Sequence, residues 1–376
     1  MGFQFQSVAT LSYSLVARID VTYAQLGLLI SCYLLPGIVV AYPGGRLGER
    51  FGDKQIAIVG LTLMVVGGLV DNTSVNYATF VGGRLIAGTG AVLLNVLLLK
   101  MATDWFLGRE IGAALALLVS SWPIGIGIAL IVLPWIAITY SVPSAFLSTA
   151  VAAAVVLVLV AAIYRPPENA AMPEAGSNFS VSWREKGLVS LAGAVWALFN
   201  VGCIIVLSFT PSLLSAQGIS ARDAGIATSL ASWMLISTMV LGGVLLDRIG
   251  YATALVTTSL AVLGLSMMLL PSAPSFALIA FVGAVAGLPC GAMLVLPTEV
   301  LHPQSRAPGM GIFYTWYYVG MTLLTPAAGL ARDLSGNPGA PLIFAGSLEI
   351  AAIAVLGIFR MLQHRWKSEL VLNAEK

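Results

Sequence analysis

The run Gly45-Arg46-Leu47-Gly48-Glu49-Arg50-Phe51-Gly52-Asp53-Lys54 decides the architecture, because its framework is written twice. Gly45, Glu49, Arg50 and Gly52 return as Gly243, Asp247, Arg248 and Gly250, each displaced by 198 positions. Gly27 and Gly225 keep that displacement, and Arg109 with Gly112 match Arg306 with Gly309 at a displacement of 197. A shift of about half the chain that survives at several points means two halves on one template. Glycines let helices approach closely and permit a tight turn. The carboxylate and arginine can pair, or cap neighbouring helix ends. Gly45, Glu49, Arg50, Gly52 and Lys54, with Gly243, Asp247, Arg248 and Gly250, are therefore read as a pair of gating loops.

On both sides of these segments the chain is apolar. Of its 376 residues 59% are hydrophobic and only 9% charged, with a mean hydropathy of +0.95. Soluble domains carry roughly 25% charged residues. So few charges cannot cover a water-soluble globule of this size, whereas a lipid bilayer accepts an apolar surface. A spanning helix needs about 20 apolar residues. That window predicts spans near 24–43, 55–73, 77–102, 109–136, 142–163, 188–210, 222–246, 251–271, 275–298, 307–331 and 339–362, with a shorter one over 1–17. The all-α membrane fold expected is thus twelve helices in two pseudo-symmetric halves. Residues 1–163 form the first half and 188–376 the second, with a short tail. Between them, 164–187 holds Pro166, Pro167, Pro173, Gly176 and most of the local charge, and reads as a linker. The repeat sets Met1 opposite Phe199, although the seventh span begins near Leu188. Helix 1 is therefore expected to be short by about 11 residues (199 less 188), or ~16 Å, as a truncated or misassigned start would make it.

Lysine and arginine set the orientation. Fourteen of them (46, 50, 54, 100, 109, 165, 184, 186, 248, 306, 360, 365, 367 and 376) fall on the side of the linker, against Arg18, Arg222 and Arg332 opposite. The linker and C-terminus are expected in the cytoplasm of a bacterial cell, with the chain crossing its inner membrane many times.

Several classes of function are excluded. A net charge of +2 argues against a nucleic-acid partner. Cys32, Cys203 and Cys290 lie far apart in apolar runs, and His302 and His364 are isolated, so neither a disulfide framework nor a metal centre is expected. No nucleophile–base constellation and no phosphate-cradling glycine loop is visible, so no enzyme and no cofactor are expected either. The remaining partners are lipid and a small solute, with the proton as a candidate coupling ion and a monomer as the expected state.

Polar residues inside the spans mark the candidate site. Arg84 lies deep in the fourth span, where a charge costs ~2.5–3.5 kcal/mol on insertion scales and should face a cavity or a partner. Arg84, Gly88, Ala91 and Asn95 share one helix face. The alternative for Arg84 is a structural role, bonded to nearby carbonyls and glutamines. Gln4, Gln6, Ser120, Ser121 and Asn200 are further polar groups within spans, and either bridge helices or meet substrate. Trp105, Trp135, Trp183 and Trp366 lie at span ends, as interfacial anchors do. Trp122, Trp196, Trp233 and Trp316 lie within spans, near Tyr314, Tyr317 and Tyr318. Glu299, with His302 close by, is the candidate for proton coupling, and Glu349 lies deep in the last span. With Arg84 the deep cation, the pocket should be electropositive and favour a small anion or a polarised neutral molecule.

The Gly45–Lys54 segment resembles the signature loop of the major facilitator superfamily, with Glu49 where aspartate is usual and Asp247 keeping it. Arg84-Leu85-Ile86-Ala87-Gly88-Thr89-Gly90-Ala91 resembles the superfamily's arginine motif on helix 4. Three further segments resemble its cyanate-transporter-like branch, which includes nitroimidazole transporters: Tyr42–Gly45, Ser120–Gly125, and Pro297–Leu301 continuing through Arg306 to Thr315–Met321. The resemblance implies a secondary transporter of alternating access, with helices 5, 7, 8 and 11 lining a central cavity and helix 12 outside it. Gln4, Gln6, Arg84, Asn95, Trp122, Asn200, Trp233, Trp316 and Tyr317 would then surround a small anionic or polar solute. Proton-coupled efflux of amphiphilic compounds and a non-transporting membrane sensor or scaffold are the rival readings.

Overall fold

The computed structural model describes residues 1–106, 111–165, 181–249, 251–302 and 305–374, and among these it contains helices and no strand. Helix 1 is three short pieces, α1 (Gly2–Phe5), α2 (Ser7–Thr10) and α3 (Ser12–Ile19), and helix 2 is divided into α4 (Tyr23–Cys32) and α5 (Gly37–Phe51). α6 (Asp53–Thr73), α7 (Tyr77–Phe106), α8 (Ile111–Thr139) and α9 (Val142–Ile163) complete the first half. The second half comprises α10 (Trp183–Ala216), α11 (Ala221–Ile249), α12 (Ala252–Leu269), α13 (Phe276–Gly287) with α14 (Cys290–Val295) and a 3₁₀ turn over Leu296–Glu299, α15 (Arg306–Ser335) and α16 (Ala340–Ala374). Ten stretches among the described residues are long and apolar enough to span a bilayer. With α15 and the segmented helix 1 they make the twelve helices expected.

The repeated motif departs from its sequence reading. It was expected as a loop, but α5 continues through Gly45 and Arg50 to Phe51, and α11 continues through Gly243 and Arg248 to Ile249. The turn in the first copy shrinks to Gly52, whose φ of +91° lies in the region that favours glycine. Packing explains the continued helix. Gly44 and Gly48 lie against Leu93 and Leu97 of α7, so α5 keeps its grip on the half to its last turn. Asp53 accepts from Lys100 Nζ at 2.8 and 3.1 Å, and Lys54 donates to the Tyr164 carbonyl at 2.7 Å. The motif thus ties helices 3, 4 and 6 together at the linker end. Gly250 lies outside the described residues, as do the side chains of Glu49 and Asp247.

Within each half one polar side chain fills an equivalent three-helix crossing. Gln4 donates to the Met64 carbonyl at 2.9 Å and lies against Gly68 and Ala150, plugging the crossing of α1, α6 and α9. The repeat carries position 4 onto Gly202, where no side chain is available. There the crossing of α10, α12 and α16 is filled from the opposite direction by Glu349, which lies against Gly202 and Gly264. Glu349 is fully buried, and neither carboxyl oxygen has a hydrogen-bond partner among the described residues. Its shape therefore matters more than its bonds. Glu349→Gln should leave the thermal midpoint in detergent nearly unchanged. Glu349→Ala should cost about 2–4 kcal/mol through the cavity it leaves, and lower the midpoint by several degrees in a tryptophan-fluorescence melt.

Candidate functional site: the cleft between the halves

Contacts between the halves run from the face opposite the linker, here the far face, to mid-depth. On one side α4 meets α15: Gly27 packs on the backbone of Thr325 and Pro326, Gly329 packs on Tyr23, and Ser31 Oγ donates to the Met321 carbonyl at 2.9 Å. On the other side α8 meets α11: Gly225 packs on Leu130, Gly127 faces the Trp233 ring, and Ser232 Oγ donates to the Pro123 carbonyl at 2.7 Å. Gly27 and Gly225 are the repeat-related pair, and each admits a backbone that a Cβ would exclude. In helix 1, Gln6 Nε2 donates to the Leu207 carbonyl of α10 at 2.9 Å. Toward the linker the cross-half contacts give way at Gly37, which lies against Tyr318. Beyond it Val39, Leu117 and Leu241 are 73%, 70% and 59% exposed.

A latch that the sequence analysis passed over holds the far face shut. Asp333 of α15 accepts from the Tyr23 and Ala24 amides at 2.9 and 2.7 Å, which are the first two N–H groups of α4. Thr22 takes the third, from Gln25, in a capping box. These amides would otherwise lack partners, and a carboxylate at a helix N-terminus is favoured by the helix dipole. Beside it Arg332 donates to Ser212 Oγ at 2.7 Å and to Tyr23 Oη at 2.9 Å, with its guanidinium 3.6 Å from the Tyr23 ring centroid. Read as sequence, Ala331-Arg332-Asp333-Leu334-Ser335-Gly336 resembles an ordinary turn. The cross-half contact that gives it meaning lies some 310 positions away and leaves no local pattern.

The predicted site residues fall into two groups. Gln4, Gln6 and Arg84 are buried in or against the first half. Arg84 donates to the carbonyls of Leu29 (3.3 Å), Gln4 (2.9 Å) and Phe5 (2.9 Å) and to Ser7 Oγ (3.4 Å), and its guanidinium lies 4.5 Å from the Tyr33 ring centroid. In this conformation its donors hold helix 1 against helices 2 and 4. The second group lies on the central helices. Asn95 is exposed and lies near the Tyr318 hydroxyl of the other half. Trp122 is half-buried against Phe5, with ring centroids 5.3 Å apart, and Trp233 lies against Gly127. Asn200 Nδ2 donates to the Trp196 carbonyl at 2.8 Å, and Trp196 stacks on Phe313. Trp316 is 42% exposed, and the Tyr317 ring meets Tyr318 edge-on.

Glu299 and His302 are placed elsewhere. Glu299 pairs with Arg360 and accepts from Gln363 at the linker end of the second half. The His302 amide and Ser305 Oγ donate to Glu185 at 2.9 and 2.7 Å, pinning the α14–α15 connection to the start of α10. The electropositive pocket also needs correction. Asp71, omitted from the sequence analysis, is 2% exposed with an oxygen 3.9 Å from Arg84. The pair is formally neutral, so Arg84 alone supplies no positive field to the cleft. Asp71 escaped notice because Asp71-Asn72-Thr73-Ser74 looks like a span end. Gly83, with no Cβ, is what lets its carboxylate lie against α7.

Two six-helix halves that meet along a seam from the far face to mid-depth are the arrangement of a membrane carrier. The comparisons agree. The Major Facilitator Superfamily model matches residues 1–325 and again 199–369, and the chain belongs to that superfamily. An uncharacterized MFS-type transporter of Mycobacterium tuberculosis is 32% identical over 108 residues, covering 29% of this chain but 19% of its own length. The probable 4-methylmuconolactone transporter of Cupriavidus pinatubonensis is 21% identical over 355 residues, covering 89% of this chain and 82% of its own. Among solved structures, the inward-open xylose transporter XylE from E. coli superposes with a TM-score of 0.76 at 16% identity, over 95% of this chain and 92% of that one. The shared fold is that of transporters, not enzymes.

Removing the far-face latch should shift the balance between conformations. Charge-assisted hydrogen bonds are worth about 1.5–3 kcal/mol when shielded and less when exposed, and Asp333 is exposed. Asp333→Ala should therefore raise far-face opening about tenfold, taking ~1.4 kcal/mol as the net loss. The measurement is the rate at which an impermeant thiol reagent labels Ser215→Cys, which lines the far-face crevice between α3, α8 and α10.

Proposed function

We propose that the chain is a secondary active transporter that moves a small anionic or polar solute across the bacterial cytoplasmic membrane by rocker-switch alternating access. The observation that supports this reading is the seam: close helix contacts and the Asp333 latch join the halves at the far face, and the contacts give way at Gly37 toward the linker. The excess of basic residues on the linker face assigns that face to the cytoplasm. The conformation is then inward-facing, and the two halves rock as separate rigid bodies about the solute, as a monomer. Asn95, Trp122, Asn200, Trp233, Trp316 and Tyr317 are the groups that meet it. Gln4 and Arg84 shape the wall of the first half, and Gln6 closes the seam above. The motifs ending in Lys54 and Arg248 are the cytoplasmic gate.

The neutral Asp71–Arg84 pair favours recognition by hydrogen bonds and ring faces over recognition by net charge. This suits a compact polar solute as well as an anion, and accords with the cyanate- and nitroimidazole-transporter-like segments. The aromatic walls also serve a second reading, proton-driven efflux of small amphiphilic compounds.

Counterflow in proteoliposomes separates these readings. Vesicles loaded with unlabelled cyanate, nitrate, short carboxylates or nitroimidazole are presented with the labelled compound, and saturable exchange is expected for one class. Trp316→Ala should raise its half-saturation concentration about tenfold, as loss of an aromatic contact worth ~1–1.5 kcal/mol would. Exchange of amphiphilic cations alone would replace this reading with efflux. No exchange by folded protein would favour a sensor or scaffold.

A further inference from the structure

Asp71 lies at the far end of α6, 2% exposed, and neither carboxylate oxygen has a hydrogen-bond partner among the described residues. Its compensation is Arg84, 3.9 Å away, beyond hydrogen-bond reach. This is an unusual way to bury an acid. A structural ion pair in a protein interior meets its charge with hydrogen bonds as well as attraction. Here Arg84 spends its donors on the carbonyls of Leu29, Gln4 and Phe5 and on Ser7 Oγ. The carboxylate can therefore gain or lose a proton without breaking a hydrogen bond, and what changes is the net charge beside helix 1.

The groups facing this pair are few. Tyr33, at the end of α4, lies over Arg84, and Cys32 and Tyr77 are the other titratable groups in the neighbourhood. α9 packs along α6 and has no titratable side chain between Val142 and Ile163, and α1 has none between Gly2 and Phe5. The charged residues of α5, Arg46, Glu49 and Arg50, sit at the linker end, opposite to Asp71 along α6. Among the described residues Arg84 has no second carboxylate beside it, and the one further titratable group on helix 1 near α1 is the buried α-amino group of Met1.

We propose that Asp71 is a proton-binding site of the transport cycle, and that Arg84 passes its charge state to helix 1. With Asp71 ionised the pair is neutral. A proton taken up on Oδ1 or Oδ2 leaves the guanidinium uncompensated, and its hold on the Gln4 and Phe5 carbonyls must answer the excess charge. Those carbonyls adjoin Gln6, whose side chain bonds the Leu207 carbonyl in the other half. The proton is thereby linked to the seam that opens and closes. No covalent bond is made, and the same proton leaves when the cycle exposes the site to the opposite side. The assignment rests on the carrier reading above and gives it the proton as its coupling ion, at a place other than Glu299 and His302.

Infrared difference spectroscopy of the purified full chain in lipid vesicles, titrated with pH alone, tests this without a known solute. Wild-type protein should show a carboxylic-acid C=O band that grows as pH falls. Asp71→Asn should delete it, Asp71→Glu should retain it at a shifted position, and Glu349→Gln should leave it in place. In fluorotryptophan-labelled protein, the Trp122 resonance, assigned with Trp122→Phe, should move with pH in the wild type and not in Asp71→Asn, because Trp122 packs on Phe5. A pH-dependent band that survives Asp71→Asn overturns the site. Should Asp71→Asn not fold, aspartate-specific isotope labelling of the wild type decides: an unshifted band overturns the proposal. A Trp122 resonance indifferent to pH overturns the link to helix 1. Wild-type counterflow is read separately, so failure of the carrier reading and failure of the proton site remain distinguishable.

Discussion

The fully buried guanidinium of Arg84 is the constraint around which the first half is organised. A cation at this depth must be compensated and hydrogen-bonded, and the chain does the two separately: charge by Asp71 on helix 3, donors by carbonyls on helices 1 and 2. This division accounts for the interruption of helix 1 at Gln6, where α1 ends. The carbonyls of Gln4 and Phe5 are turned toward Arg84, and an inserted side-chain donor is a recognised cause of a helix break. It also accounts for Tyr33, whose ring covers the guanidinium and whose hydroxyl donates to Gln4 Oε1 at 3.3 Å. Four of the six helices of that half thereby meet at one side chain.

The contacts at the two faces differ in kind. At the far face, glycines bring backbones together across the halves, and a carboxylate caps a helix that belongs to the opposite half. At the linker face, three charged contacts are internal to a half: Asp53 with Lys100, Lys54 with Tyr164, Glu299 with Arg360. Contacts internal to a half survive rocking, and contacts across halves do not. The asymmetry fits rigid halves held at one face in this conformation, with the interactions that must break confined to a narrow seam.

Much of the fold was legible because the bilayer imposes a coarse rule on every span and because the repeat marks the halves independently. Helix number and the equivalence of Gly27 with Gly225 came from those two regularities; of the expected linker over 164–187, residues 166–180 lie outside the described residues and α10 begins within it at Trp183. What was not legible depends on depth and on long-range contact. Arg332 was set just beyond the 307–331 span, yet it lies inside α15, which runs a turn further to Ser335, while Asp71 falls at the polar end of the 55–73 span, where α6 also ends. The repeated motif was read as a loop because its glycines and charges suit a turn equally well, and only its packing on α7 shows it to be helix. Of the predicted aromatic residues, Trp122 packs on Phe5 and Trp233 against Gly127, while Trp316 lies against Gly193 and Tyr317 on Tyr318. Arg84 was found but its partners were not, since carbonyl acceptors leave no trace in a side-chain pattern.

The seam and the buried charge are not independent. Helix 1 touches both, as α4 also does: Gln4 and Phe5 give their carbonyls to Arg84, and the next residue, Gln6, gives its side-chain N–H to Leu207 of α10. Gln6 Oε1, Thr10 Oγ1, Ser208 Oγ and Thr210 Oγ1 along these two helices have no hydrogen-bond partner among the described residues. A buried unpaired polar atom costs about 1–3 kcal/mol, so closing the far face dehydrates groups that would be satisfied by water when it opens. The closed seam is thus opposed along helix 1 and held by Asp333 and Arg332 on helix 11. A carrier whose closed face is held by only a small margin can be moved by a change as small as one proton, provided that the change acts on the helix where the opposition lies.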